Sequence, residues 1–126
     1  MSKTPPTNHA TKDAILALAG STQIERIEVA ELSSPIYIRG LSARERDSFE
    51  ASCMPGKGKA RALNMENIRA RLLVRSICNE VGERLFQDHE ADALGTVPAS
   101  VVDKLFTVAQ RLSGLSTNDV EELAGN

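Results

Sequence analysis

Residues Ile24 to Arg39 carry the period of a β-hairpin inside a chain otherwise patterned for helices, and two strands do not fold alone. Ile27 and Val29 alternate with charged residues along Ile24-Glu25-Arg26-Ile27-Glu28-Val29-Ala30-Glu31-Leu32, as a half-buried strand requires. With Ser33-Ser34-Pro35 as the turn, Ile36-Tyr37-Ile38-Arg39 is the partner strand, rich in β-branched and aromatic residues, and Gly40 closes it. An isolated two-stranded hairpin is marginal in water. This one must pack on helices or gain strands from another chain, a first sign of a partner.

The remaining segments supply those helices. Met1 to about Ala10 is rich in Pro, Thr, Ser and Asn and reads as a disordered tail, leaving residues 11–126 as a single domain. Thr11 and Asp13 start a short helix with Ile15, Leu16 and Ala19 on one side, and Gly20 stops it. Leu41-Ser42-Ala43-Arg44-Glu45 is a capping-box sequence opening a helix to about Cys53, with Phe49 and Cys53 on one face. A mobile loop is expected at Met54-Pro55-Gly56-Lys57-Gly58-Lys59. From Ala60 or Asn64 to Asn79 the pattern is helical, with Ile68, Leu72 and the Leu73-Ile77 pair as an apolar stripe and Arg69, Arg71 and Arg75 pointing more outward.

Further along, Asn79 to Glu83 reads as a reversal, Arg84-Leu85-Phe86 as a short extended piece, and Asp88 as the cap of a brief helical turn through Leu94. Pro98 suits the first turn of a helix carrying Val102, Leu105, Phe106, Ala109 and Leu112, which Gly114 terminates. Ser116 opens a last helix, with Val120 and Leu123 as its burial candidates. The expected fold is mainly α, α+β by a strict count: a small helical domain with an N-terminal β-hairpin at about 24–39.

Composition narrows the function classes. The chain has 126 residues, 41% apolar and 25% charged, an ordinary soluble globular balance, but only 3% are aromatic, leaving few stacking platforms for bases or sugars. Its polar start and the short apolar stretch Ala14 to Ala19 indicate neither export nor membrane anchoring. Cys53 and Cys78 show no CxxC spacing and read as reduced thiols acting as small apolar side chains.

No convergent chemistry is visible, and no cofactor or metal is expected. His9 lies in the tail, and Asp88-His89-Glu90 places consecutive residues about 100° apart on a helix start, which does not converge on one metal or proton. Cys78 lacks a base nearby in sequence, Ser33-Ser34 lacks an elbow motif, and Pro55-Gly56-Lys57-Gly58-Lys59 lacks the spacing of a phosphate loop.

Charge is more informative. The net −2 hides a local +4 over residues 44–75 and a local −6 over residues 79–126. A nucleic-acid-binding regulator using Lys57, Lys59, Arg61, Arg69, Arg71 and Arg75 is one reading, weakened by the lack of interleaved aromatics. Solvated faces and complementary contacts within or between copies are the other, and head-to-tail association then gives open or ring assemblies.

The order of segments resembles the tail assembly chaperones of long, non-contractile-tailed phages over about residues 24–126. The likeness rests on Ile36-Tyr37-Ile38-Arg39-Gly40-Leu41-Ser42-Ala43-Arg44-Glu45-Arg46, the Lys/Gly loop, and the helix ending Arg71-Leu72-Leu73-Val74-Arg75-Ser76-Ile77-Cys78-Asn79-Glu80. It continues through Gly82-Glu83-Arg84-Leu85-Phe86-Gln87-Asp88, Pro98, Arg111-Leu112-Ser113-Gly114-Leu115 and Val120-Glu121-Glu122-Leu123. What the resemblance implies is a non-catalytic chaperone of tail morphogenesis in the host cytoplasm, absent from the finished virion. Its partners would be the tape measure protein, which it keeps soluble, and the tail-tube protein, which it recruits. In many relatives a translational frameshift makes a longer form, of which this chain would be the short one.

Such a role needs repeated, displaceable contacts, met by self-association and an adaptable apolar groove. Candidate contact residues are Ile36 and Ile38 in the hairpin, Lys57 and Lys59 in the loop, and any exposed members of the Ile68, Leu72 and Leu105, Phe106 stripes; the plainer reading of both stripes is core. A structural tail or connector subunit remains a further alternative.

Overall fold

In the computed structural model of the chain, residues 8–53 and 67–115 are described. The hairpin strands are β1 (Ile24–Ile27) and β2 (Ile36–Arg39), paired antiparallel with Ile24 opposite Arg39 and Ile27 opposite Ile36. A third strand, β3 (Ile77–Cys78), pairs antiparallel with β2, so the sheet order is β1-β2-β3. The chain therefore supplies from its own sequence the extra strand that the hairpin needs. β2 is central, and among the described residues β1 lies at one side of the sheet, while Cys78 of β3 bridges on to Arg84.

β3 replaces the last turn expected of the long helix. That helix, α3 (Ile68–Ser76), stops at Ser76 because Ile77 is extended, at φ −71° and ψ 127°. A β-branched residue beside the unpaired edge of β2 gains ladder hydrogen bonds there and loses little by leaving a helix. Asn79 then folds the chain back: its Oδ1 accepts from the amides of Val81 and Glu83, and Gly82 takes φ +90°. β1 is shorter than expected, ending at Ile27. Residues 28–35 form a connecting loop in which Leu32 N donates to the Val29 carbonyl, and Val29 is still buried.

Around the sheet lie α1 (Lys12–Leu16), α2 (Ala43–Ser52), α3, α4 (Ala91–Leu94) and α5 (Ala99–Leu112). The mainly helical fold with a small antiparallel sheet is the one expected. Thr11 Oγ1 caps α1, accepting from Ala14 N. Ser42 and Glu45 form the full capping box of α2, and Phe49 and Cys53 are completely buried. Gly114, at φ +72°, follows the last residues of α5.

α3 is the element about which the core is arranged. Seven of its nine residues are buried, including Leu72, Leu73 and Val74 at no exposure, because α2, α4, α5 and the 3-10 turn Asp88–Glu90 all touch it. This corrects the outward placement of Arg75, which is 5% exposed. Helical period alone assigns a charged residue to the water side, but the side of α3 that carries Arg75 is covered by α2 and the 3-10 turn, while Arg69 stays exposed. The Arg75 guanidinium is satisfied instead by the Arg71 carbonyl at 2.6 Å, by Ser48 Oγ at 3.2 and 3.3 Å, and by Asp88 at 3.4 Å.

α5 runs along the hairpin in a fixed direction. Near its C-terminal end Arg111 pairs with Glu25 at 2.9 Å, Ser113 Oγ accepts from Leu41 N, and Gly40 lies against the Leu112 carbonyl, where any Cβ collides with backbone. Nearer its N-terminal end Lys104 Nζ donates to the Glu28 carbonyl at 2.7 Å. The expected Lys/Gly loop, the final helix from Ser116 and residues 1–7 of the expected tail lie outside the described residues.

Candidate protein-binding groove

The Glu28–Pro35 loop leaves the sheet at the end where the N-terminal half of α5 begins, and the two do not close against each other. Between them opens a groove of about 410 Å³ walled chiefly by Val29, Leu32, Ile36, Leu85, Phe86, Val101 and Leu105. Leu32 and Leu85 stand on it 53% and 59% exposed. Glu31 is its one carboxylate. Cys78 also contributes to the wall; burial raises its thiol above the ordinary value against the opposing charge of Arg39, so it lines the groove as a neutral apolar group. Such a concavity takes aliphatic side chains presented by another element and offers nothing to polarise a bond.

A second cleft, about 470 Å³, is bounded by Asn67, Arg69, Gly95 and Asp103 and is polar in character. Its groups bond with their neighbours: Arg69 pairs with Asp103 at 2.8 Å, and the Asn67 amide donates to the Ala91 carbonyl at 2.8 Å. Although it is slightly larger, its walls suit a polypeptide's own hydrogen bonds rather than an apolar partner.

The sequence-derived contact residues are divided by the fold. Ile36 and Leu105 reach the groove. Ile38 and Leu72 are fully buried, so these two are core and present no surface to a partner, whereas Ile68, 6% exposed, lines the second cleft. Phe106 is half-buried, with the Arg69 guanidinium 5.9 Å above its ring. Lys57 and Lys59 lie outside the described residues. Sequence periodicity missed Val29, Leu32, Leu85, Phe86 and Val101. The signal available for Leu32 and Leu85 was a large aliphatic residue in a loop, on no helical or strand stripe, where burial has to come from somewhere else.

The arginines of the basic segment do not form a cationic face in the described region. Arg69 and Arg75 have the partners given above, and Arg71 approaches Cys53 Sγ at 3.8 Å. Neighbouring arginines close the end of α3: Arg84 donates to the Val74 carbonyl at 2.8 and 3.1 Å, and Arg39 to the Arg75 carbonyl at 3.1 Å. Arg39 also grips Glu45 through two bonds of 2.6 and 3.1 Å.

Asp88, expected as a helix cap, serves this arginine cluster. It pairs with Arg84 at 2.7 Å, while the Glu90 carboxylate accepts from the Gln87 amide at 2.7 Å and does the capping. Among the described residues no group of three or more His, Cys, Asp or Glu is placed to hold a metal ion.

The two carboxylates make stability depend on pH. Burial acts to raise Glu45, but the bonds from Arg39 and the Ser42 amide together with the Arg39 charge outweigh it and hold the carboxyl below the ordinary range. Asp88 is lowered chiefly by the Arg84 hydrogen bond. Both groups titrate lower when folded than when unfolded. Their contribution is therefore complete above an ordinary carboxyl value of 4.5 and is lost as the pH falls through the folded values. In urea titrations at about pH 7 and about pH 3.5, Glu45→Gln is expected to lower stability at the higher pH and to narrow the difference between the two. An unchanged pH difference would contradict this assignment.

The sequence profile of the phage tail assembly chaperones matches residues 10–126. The chain belongs to that family. The structure of the bacteriophage HK97 tail assembly chaperone is similar, with a TM-score of 0.56 over 80% of this chain and 98% of that one. At 14% identity the likeness is one of fold. No curated protein matches. In this tail assembly chaperone no helix among the described residues is long and apolar enough to cross a membrane.

Proposed function

We propose that this tail assembly chaperone binds the tape measure protein through the groove, holds it soluble, and recruits tail-tube subunits while the tail is built. It acts without catalysis, in the host cytoplasm, and leaves before the virion is complete. The apolar groove between the Glu28–Pro35 loop and α5 carries this reading. A long helical client exposes apolar side chains at i, i+3, i+4 and i+7, and a groove of about 410 Å³ has room for only a few of them per copy. Each such contact is well below the area of a stable interface, so it is weak and displaceable, and many copies on one client provide the strength.

Co-expression tests this. Wild-type chaperone is expected to keep the tape measure protein soluble and to co-purify with it, and Leu85→Asp, altered at an exposed rim position, to leave the client largely in the pellet. A client that stays insoluble with wild type, or is equally soluble with Leu85→Asp, would overturn the proposal.

A further inference from the structure

The groove is apolar inside and acidic along the segments that wall it. Besides α5, those segments are the Glu28–Pro35 loop and the Leu85–Leu94 stretch, with Glu83 just before the latter. Together they hold six carboxylates, Glu28, Glu31, Glu83, Asp88, Glu90 and Asp92, against one arginine, Arg84. Two of the six are neutralised: Glu28 pairs with Arg26 at 2.9 Å, and Asp88 with Arg84 and Arg75. The other four keep their charge uncompensated. Glu90 and Asp92 accept only from the neutral amides of Gln87 and Asn67, and Glu83 from the Asn79 side chain, while Glu31 has neither hydrogen bond nor ion pair among the described residues. α5 adds one free cation, Lys104, whose ammonium is turned to the Glu28 carbonyl.

Two of these carboxylates stand beside the exposed leucines of the groove. Glu31 lines it next to Leu32. At Leu85 the chain runs extended against β3: Asn79 N donates to the Glu83 carbonyl at 2.9 Å, and Leu85 N to the Ile77 carbonyl at 3.1 Å. Residues two apart on an extended chain share a face, about 7 Å from one another. Glu83 therefore flanks Leu85 on the groove side, and the Asn79 side-chain amide holds its carboxylate at 2.9 Å.

We infer that the groove selects basic amphipathic helices: client segments whose apolar face enters against Leu32, Leu85 and Val101, and whose flanking positions carry Lys or Arg. This rests on the groove being the client site, and it names the class of client segment that the site accepts. A lysine or arginine lays its aliphatic stem along an exposed leucine and carries its charge outward to a carboxylate, so one residue serves both the apolar and the charged contact. A glutamate at the same position meets Glu31 or Glu83 with like charge. On an exposed rim such complementarity contributes little raw affinity and mainly decides which helices are accepted. A long client offers many amphipathic turns, and acidic ones are rejected by repulsion rather than by shape.

Binding of three labelled helical peptides to the full chain reads this out. The peptides share one apolar face, with leucine at i, i+3, i+4 and i+7, and differ only at two flanking positions, which are both Lys, both Gln or both Glu. Wild type is expected to bind the Lys peptide at least about tenfold more tightly than the Glu peptide, with the Gln peptide between them. Raising the salt from about 0.05 M to about 0.5 M is expected to shrink that ratio below about threefold. Glu31→Lys combined with Glu83→Lys, shown to be folded by its thermal midpoint, is expected to prefer the Glu peptide. Glu31→Gln, which breaks no bond, is expected to lower the wild-type ratio at least about twofold. Equal affinities for the three peptides, a ratio that salt leaves unchanged, or variants that keep the wild-type ratio would each overturn the inference. Leu85→Gln, which alters no charge, is expected to weaken all three peptides alike and separates this inference from the client reading. Equal affinities that Leu85→Gln abolishes would leave the groove as the client site and remove only its preference. A Lys preference that Leu85→Gln leaves untouched, or no binding of any peptide, would remove both.

Discussion

Phe49→Ala is expected to remove about 3–5 kcal/mol of folding stability, the usual cost of emptying a buried phenylalanine site. Phe49 has no exposed surface and is the one buried residue within α2. The helix owes its position to that ring, to Cys53 just beyond it, and to polar ties such as Arg39–Glu45. Removing the ring leaves a cavity beside α3, the element on which α4 and α5 also pack. Domains of this size are stable by only about 5–15 kcal/mol in total, so the variant is expected to unfold at a much lower urea concentration with an unchanged slope. A loss under about 1 kcal/mol would show that α2 is held by its capping and ion pairs, and that the ring contributes little.

Ile38→Pro is expected to prevent folding altogether. In a hairpin that pairs with another copy, this proline would simply block association. Here Ile38 sits in β2 with Glu25 opposite on one side and Ile77 on the other, and it is fully buried. Proline has no amide to donate and is excluded from a central strand. The variant is expected to lack dispersed amide resonances and a cooperative urea transition. A folded Ile38→Pro chain of normal dispersion would contradict the three-stranded register.

The local elements were legible because their causes are local. Thr11 caps α1, Ser42 and Glu45 cap α2, and Gly114 ends α5, each through groups within a few residues of one another. The third strand was not legible, since Ile77 and Cys78 continue a good helical stripe and leave it only because β2 has an edge to offer. Arg75 was misplaced for a related reason. Periodicity tells which side of a helix is polar, but here the far side meets Ser48 and Asp88 rather than water. The groove followed the same rule: Ile36 and Leu105 were found on stripes, whereas Leu32 and Leu85 come from loops that meet α5 only after folding.

By itself the sequence determined α1, α2 and α5 with the residues that start or end them, the hairpin, the separation of a basic stretch from an acidic one, and a segment order characteristic of tail assembly chaperones. Each is set by neighbours along the chain or by composition. Tertiary structure decided which of those charges are consumed inside the molecule, which apolar residues become core, and which line the groove between the Glu28–Pro35 loop and α5. Burial is a property of what packs against a side chain, and that partner is usually distant in sequence.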